Sequence, residues 1–239
     1  MELITDMSTL TELQKELQQL ADPNQQAILQ RFFKTGIGQY GEGDIFLGIK
    51  VPIQRKVARK YQTLSLTDIQ TLLQSQIHEH RITALILLTY RYLKASDTQK
   101  QALFEFYLHN TQHINNWDLV DISAPKIVGD YLLDKPREIL YQLAHSTSLW
   151  ERRIAIIATM IFIKHNDFND TLELAYILLN DKHDLIHKAV GWMLREVGKR
   201  DQKREESFLK KHHQKMPRTM LRYAIEKFDD QKRQFYLKK

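Results

Sequence analysis

Glycine and proline are scarce in this chain, and their scarcity limits the folds that it can adopt. The 239 residues include 8 Gly and 5 Pro, against ordinary usage of about 7% and about 5%. Folds built from strands and tight turns need more of both, because turns demand the backbone conformations that these residues supply. Leu, Ile, Gln, Lys, Glu and Ala dominate instead, and these mostly suit helices. The composition therefore predicts an all-α fold.

Helix-starting signals recur along the chain. Thr9-Leu10-Thr11-Glu12 is a capping box, and Asp22-Pro23 places an N-cap residue before a proline at the first helical position. The predicted helices are 10–21, 23–34, 52–61, 67–76, 79–94, 97–109, 117–133, 136–145, 149–165, 169–179, 184–200, 203–214 and 217–228. The segment 36–44 contains four of the eight glycines and is predicted to be a loop.

The spacing of these helices predicts how they are arranged. Helices with short connectors pair naturally into hairpins, and here the hairpins recur about every 35–45 residues, which is the spacing of HEAT-like repeats. We expect residues 1–239 to form a single domain, a HEAT-like solenoid. A curved α-solenoid has a concave face wide enough for a ligand as large as duplex DNA.

Positive charge is concentrated near the C-terminus. Residues 181–239 contain 17 Lys and Arg against 9 Asp and Glu, whereas the preceding 180 residues contain 18 against 20. A basic quarter on a near-neutral body suggests a surface that binds a polyanion. A solvated helical surface explains the same imbalance, so charge alone does not decide between the two.

Several classes of protein are disfavoured by what the sequence lacks. There is no cysteine, which excludes disulfides and thiolate metal sites and fits a cytoplasmic protein. No apolar run approaches the roughly 20 residues that span a bilayer, and the first residues do not resemble a signal peptide. His183 and His187 lack the HExxH pattern, and the glycine-rich segment lacks the Gly-Lys-Ser/Thr of a phosphate-binding loop.

The predicted helix 184–200 has two contrasting faces. Its apolar stripe marks the core side and consists of Ile186, Val190, Met193 and Val197. A second stripe combines one tryptophan with three cations, at Lys188, Trp192, Arg195 and Lys199. A core tryptophan does not normally share its stripe with cations, so an aromatic and cationic surface for nucleic acid is favoured. Arg218 and Arg222, one turn apart in the next-but-one helix, repeat the pattern.

A second candidate site begins the predicted helix 117–133. Trp117 and Asp121 are four residues apart and share a helix face. Asp118 is placed to cap the helix, but Asp121 lies one turn further in, among apolar neighbours. An ordinary ion pair with an arginine of a neighbouring helix is the alternative to a catalytic role.

Two adjacent arginines, Arg152 and Arg153, open a very apolar helix. We expect one to face solvent and the other to turn toward a groove or a partner, because an unpaired buried cation is costly. A structural pair with a Glu or Asp is the alternative interpretation.

Taken together, these segments resemble the AlkD family of DNA alkylation repair glycosylases. The resemblance extends from about Arg31 to Phe228. It is strongest in three blocks that occur in the family's order: Asn116-Trp117-Asp118-Leu119-Val120-Asp121, Leu149-Trp150-Glu151-Arg152-Arg153-Ile154-Ala155, and His183-Asp184-Leu185-Ile186-His187-Lys188-Ala189-Val190-Gly191-Trp192-Met193-Leu194-Arg195-Glu196. Met216-Pro217-Arg218-Thr219 also fits.

The resemblance implies a right-handed superhelix of HEAT-like repeats with a basic concave cleft that holds duplex DNA. It implies hydrolysis of the N-glycosidic bond of cationic N3- or N7-alkylpurines, by a monomer, with no metal or other cofactor and without base flipping. Asp121 matches the catalytic aspartate, and Trp117 and Trp192 match the active-site tryptophans. Arg153 matches the cleft arginine, with Arg152 second. The family's N-terminal tyrosine falls at Phe32, so its hydroxyl is lost, and the 36–44 loop is long for the family.

Two other functions remain open. A non-catalytic or weakly active relative would bind DNA of unusual structure without turnover, and would gain little from a carboxylate that faces phosphates. A HEAT-type protein scaffold would have an apolar or mixed groove, whereas a basic groove is expected here. For DNA binding, the predicted residues are Phe32, Arg152, Arg153, Lys188, Arg195, Lys199, Arg218 and Arg222.

Overall fold

The computed structural model describes residues 9–238, and this part of the chain is helical, with a single isolated bridge, between Ile45 and Ile77, as its only β pairing. The predicted all-α class is confirmed. The α-helices of the N-terminal half are α1 (Leu10–Gln19), α2 (Pro23–Phe32), α3 (Val51–Lys60), α4 (Leu66–Leu73), α5 (His78–Leu93), α6 (Asp97–His109) and α7 (Trp117–Ala124). Those of the C-terminal half are α8 (Glu138–Ala144), α9 (Leu149–Ala158), α10 (Met160–Lys164), α11 (Asn169–Ile177), α12 (Asp184–Arg200), α13 (Gln202–His212), α14 (Arg218–Ala224) and α15 (Asp230–Leu237).

The predicted starts of the first two helices are confirmed at the level of individual hydrogen bonds. The Thr9 hydroxyl accepts from the Glu12 N–H at 3.2 Å, and the Glu12 carboxylate accepts from the Thr9 N–H at 2.7 Å. Asp22 accepts from the N–H groups of two residues in the first turn of α2. These bonds satisfy donors that have no partner inside the helix.

Several predicted helices differ from those observed by a few residues at their ends, and three differ in other ways. The helix 117–133 contains a π turn over Pro125–Gly129, because Pro125 has no N–H to donate to the carbonyl four residues before it. The helix 149–165 is divided into α9 and α10 at Thr159, whose hydroxyl donates to the Ile156 carbonyl at 2.7 Å and competes with the helix bonds. The helix 217–228 ends early at Ala224, and α15 was not predicted.

The chain divides into two compact units, Met1–Ser123 and Ala124–Lys239. In the first unit α5 is the central helix, and α3, α4 and α6 pack against it. Of its 16 residues, 13 are buried. Almost every side of the helix therefore consists of apolar side chains or of polar side chains with partners inside the protein. The charged residues at its start are therefore buried too, and they form part of the candidate functional site.

In the second unit α12 is the central helix, and α9, α10, α11, α13 and α14 pack around it. Its predicted apolar stripe is fully buried, at Ile186, Val190, Met193 and Val197. Gly191 allows α14 to approach closely, since a Cβ there would lie 2.4 Å from the Met220 carbonyl oxygen. Consecutive helices pack on one another, as α8 does on α9 and α4 does on α5, which is the pattern of helical-repeat proteins. Between residues 9 and 238 no helix is both long and apolar enough to cross a membrane.

Candidate functional site

Helix α7 carries two of the predicted catalytic residues, Trp117 and Asp121. Both side chains are half-buried, and their spacing of four residues places them on one face of the helix. The helix is fixed at its start by the Asn116 side chain, which accepts from the Trp117 N–H at 2.8 Å. Burial raises the pKa of Tyr107, a hydrogen bond with Ser123 opposes this rise, and the negative charge of Asp121 adds to it.

An aromatic stack extends inward from Trp117. The Trp117 ring lies 5.2 Å from the Phe33 ring, centroid to centroid, with 13° between their planes. Phe33 is stacked on Phe46 at 5.0 Å, and Phe46 on the His78 imidazole at 4.4 Å. Trp117 is thus held through one face by a continuous series of rings that ends on a histidine.

Phe32 lies at the outer edge of this stack. Its ring meets that of Trp117 edge-on at 6.0 Å, and 60% of the residue is exposed. The structure therefore brings together two residues that the sequence places far apart, Phe32 and Trp117, with Asp121 one helical turn away. An exposed aromatic ring beside a half-buried tryptophan is suited to face contacts with a planar or apolar ligand.

A buried group of charges lies at the inner end of the stack. The His78 Nε2 is 2.9 Å from the Asp118 carboxylate and its Nδ1 is 3.3 Å from that of Asp44. Arg81 contacts the second oxygen of Asp44 at 2.6 Å, and Asn116 donates to the first at 3.3 Å. We call Asp44, His78, Arg81 and Asp118 the His78 cluster.

The pKa of His78 reflects competition within this cluster. Burial alone lowers the pKa, but the negative charge of Asp118 and hydrogen bonds to Asp118 and Asp44 outweigh it and raise the pKa to about 9, against the charge of Arg81. Burial likewise opposes ionisation of Asp44, but its bonds to His78 and Asn116 and the charges of Arg81 and His78 lower its pKa. His78 is therefore a cation at neutral pH.

The His78 cluster was not predicted, and it changes the interpretation of Asp118. One oxygen of Asp118 accepts from the Leu119 N–H at 2.9 Å, a backbone donor in the first turn of the helix. The other oxygen binds His78. The cluster had one sequence signal, the run His78-Glu79-His80-Arg81 at the start of an apolar helix. Nothing in the sequence pairs that run with residues 34 and 40 positions away.

Glu79 holds the segment that carries Phe46. Its carboxylate accepts from the N–H groups of Leu47, Gly48 and Ile49 at 2.8–3.1 Å. Gly48 is required here, because its φ is +88° and a Cβ would lie 2.2 Å from the Asp22 carbonyl oxygen. This carboxylate is wholly buried, and its three backbone bonds offset the cost of that burial.

In the second unit, Trp192 lies outside the buried apolar stripe of α12, as predicted. Its ring is half-buried, and its Nε1 donates to the Glu196 carboxylate at 3.1 Å. The cations of its stripe are ion-paired, Lys188 with Asp184 at 2.7 Å and Lys199 with Glu196 at 2.7 Å. Arg195 pairs with Glu226 and lies near Glu196. Because each cation has an acidic partner, the stripe is less positive than the sequence suggested.

The two adjacent arginines of α9 have different partners, and neither is exposed. Arg152 pairs with Asp181 at 2.6 Å and donates to two backbone carbonyls. Arg153 is buried and donates to the Leu185 carbonyl at 2.7 Å. The expectation that one of them faces solvent is wrong, because both are drawn in to bond acceptors around the start of α12. For Arg152 the structural ion pair considered from the sequence is present.

The predicted cations of α14 are both exposed. Arg218 donates to the Leu237 carbonyl at 3.0 Å, at the end of α15. The described residues include no cluster of three or more His, Asp or Glu side chains arranged to hold a metal ion.

Comparison with known proteins identifies the family. A family profile described as "DNA alkylation repair enzyme" matches residues 13–228. A solved structure described as a predicted DNA alkylation repair enzyme from Enterococcus faecalis has the same fold, with a TM-score of 0.70 and 17% identity, over 88% of this chain and 97% of that one. No curated protein shows significant similarity. The profile match runs through both units, and the chain belongs to the DNA alkylation repair enzyme family.

Proposed function

We propose that this protein is a DNA glycosylase that hydrolyses the N-glycosidic bond of cationic N3- and N7-alkylated purines in duplex DNA. One observation carries the proposal: in a chain of the DNA alkylation repair family, Asp121 lies one helical turn from Trp117, and Trp117 is the residue that Phe32 and the aromatic stack contact. A carboxylate beside aromatic faces suits a reaction that develops positive charge on a sugar.

The chemistry needs little acid catalysis. Alkylation at N3 or N7 makes the purine a cation, so the C1′–N bond breaks with its electron pair leaving on a base that becomes neutral. The deoxyribose is left as an oxocarbenium ion. Water then adds to C1′ and loses a proton. Asp121 is proposed to stabilise the oxocarbenium ion by its charge and to orient and deprotonate the water.

The DNA is proposed to bind without base flipping. Trp117 and, in the second unit, Trp192 are proposed to contact the lesion nucleotide through their ring faces, each contact contributing on the order of 0.5–2 kcal/mol. Phe32 adds an apolar contact without the hydroxyl of the family's tyrosine. A basic concave cleft is proposed to bind the DNA phosphates. The residues proposed for it are Arg152, Arg153, Lys188, Arg195, Lys199, Arg218 and Arg222, of which Arg152, Lys188, Arg195 and Lys199 would exchange an acidic partner for a phosphate.

We further propose that the protein acts as a monomer in the bacterial cytoplasm, with residues 1–239 as one functional domain. The profile match, which runs through both units, supports the proposal of one functional domain.

The proposal is tested by the range of lesions that the protein excises. Under single-turnover conditions, duplexes that contain 7-methylguanine or 3-methyladenine should release the base, as should those with bulkier N7 adducts. Hypoxanthine and 1,N6-ethenoadenine are neutral and should stay in place, because their release needs protonation of the leaving group.

Two other outcomes would contradict the proposal. Efficient release of hypoxanthine would indicate a glycosylase that flips and protonates its target. Tight binding of the 7-methylguanine duplex without release would indicate the non-catalytic DNA-binding alternative.

A further inference from the structure

Three separate segments of the first unit meet at His78. The histidine begins α5, Asp44 ends the glycine-rich loop, and Asp118 lies in the first turn of α7. Bonds of 3.3 Å and 2.9 Å from the two ring nitrogens join His78 to Asp44 and to Asp118. One imidazole thus connects the loop, the central helix and the helix that carries Trp117 and Asp121.

His78 is also linked to Trp117 by a second, aromatic route. Its ring stacks on Phe46, Phe46 stacks on Phe33, and Phe33 stacks on Trp117. The polar route ends on Asp118, which directly follows Trp117 in the chain. Two independent sets of contacts therefore run from one buried histidine to the same tryptophan.

The charges of the His78 cluster balance only when the histidine is protonated. Asp44 and Asp118 carry one negative charge each, and Arg81 supplies one positive charge, directly against Asp44. His78, Asp44 and Arg81 are at most 6% exposed, and Asp118 is 9% exposed. An unbalanced charge at such depth is costly, so loss of the His78 proton leaves Asp118 without a cationic partner.

We propose that the His78 imidazolium is a positioning residue, which fixes the Trp117 ring and the first turn of α7 by binding Asp118 and by closing the aromatic stack. Its effect on Trp117 follows from contacts within the first unit. Its effect on base excision rests on the proposed function, through Asp121 one turn further along α7.

Other ionisable groups near His78 do not supply the same contact. Glu79, on the same helix, is bound by three backbone N–H groups of the segment 47–49. His80 bonds Ser75, and burial together with the charge of Arg81 lowers its pKa to about 4. His80 is therefore neutral over the range in which His78 titrates, and it provides a matched control.

The proposal can be tested without any activity measurement. The chain has three tryptophans, so replacing Trp150 and Trp192 by Phe leaves the emission of Trp117 alone. The emission of this protein between pH 6 and pH 10 should show a transition near pH 9, where His78 loses its proton. The transition should be absent in His78→Gln and unchanged in His80→Gln. Because all these variants keep the same tyrosines, comparing them corrects for quenching by ionised tyrosines.

Asp118→Asn provides a second variant that keeps the histidine. Removing the nearby negative charge should lower the midpoint of the Trp117 transition by about one pH unit or more. If His78→Gln titrates like its parent, the proposal is overturned. If that variant does not fold, an unchanged midpoint in Asp118→Asn overturns it equally.

The catalytic consequence is measured with all three tryptophans present. His78→Gln should slow single-turnover excision of 7-methylguanine by about tenfold or more, because a small misplacement of catalytic groups is costly. Its DNA affinity should stay within about threefold of wild type, and His80→Gln should match wild type in both. An unchanged excision rate in His78→Gln would contradict the positioning role, whereas absence of excision in the wild type would contradict only the proposed function.

Discussion

Two buried glutamates, Glu79 and Glu205, show how the surroundings of a carboxyl group determine the free-energy cost of burying it. Glu79 accepts three backbone hydrogen bonds. Glu205 is 1% exposed, and its Oε1 has no hydrogen-bond partner. Burial, with the nearby charge of Glu206, raises the pKa of Glu205 to about 9, although the charge of Arg195 lowers it. Glu205 is therefore protonated in the folded protein at neutral pH, and it fills the space beside Gly198.

Replacing this carboxyl by an amide should alter how stability depends on pH. The folded pKa of Glu205 lies above its ordinary value, so the folded state retains a proton that the unfolded state releases. This group therefore makes wild-type stability fall as pH rises from about 4.5 to about 9, by up to about 1.4 kcal/mol per pH unit. Glu205→Gln removes that dependence, so its stability relative to wild type should increase with pH.

Urea unfolding at pH 5 and pH 8 measures the difference directly. Glu138→Gln, at an exposed position in the first turn of α8, is the matched control and should show the same pH dependence as wild type. A Glu205→Gln difference from wild type that stays constant between the two pH values would show that Glu205 is ionised in the folded state.

At the scale of elements, the sequence predicts helices well and their ionic partners poorly. Helix α12 has its predicted bounds and its predicted apolar stripe, because both follow from local spacing. The ionic partner of Arg195 does not follow from local spacing, since Glu226 lies 31 residues away, beyond the end of α14. Pro125 was visible in the sequence, but its consequence is a π turn rather than a helix end, because helix resumes after Gly129.

The same contrast applies to the candidate site, where local spacing predicts some residues and only the tertiary fold brings the others together. Trp117 and Asp121 were predictable because they share one face of one helix. The stack below Trp117 was not, because it brings together Phe33, which follows α2, Phe46, which follows the glycine-rich loop, and His78 of α5 from distant parts of the first unit. Asp44 and Asp118 are likewise joined to His78 only by the tertiary fold. Local periodicity contains no information on such pairs.

At the scale of the whole molecule, the proposed DNA binding should depend strongly on salt. Each phosphate that a cation neutralises releases counterions, which adds roughly 0.9 to the slope of log K against log salt. Arg222 is exposed, so Arg222→Gln should reduce the slope by about 1. Lys199 is already paired with Glu196, so Lys199→Gln should reduce it less.

Fluorescence anisotropy with an undamaged duplex, between 50 and 300 mM salt, measures these slopes. Lys15→Gln, an exposed position on α1 outside the predicted set, should leave the slope unchanged. Little preference between duplex sequences is expected, because phosphate contacts do not read bases. A wild-type slope near zero would contradict DNA binding altogether.

The role of Asp121 is the central claim, and the single-turnover rate of 7-methylguanine release by Asp121→Asn tests it most directly. The amide keeps the shape of the side chain but removes the charge that stabilises the oxocarbenium ion, so excision should fall by about a hundredfold or more. DNA affinity should be equal or tighter, since a negative charge near phosphates is lost. Asp97→Asn, at an exposed position in the first turn of α6, should excise at the wild-type rate. A wild-type rate in Asp121→Asn would contradict the account.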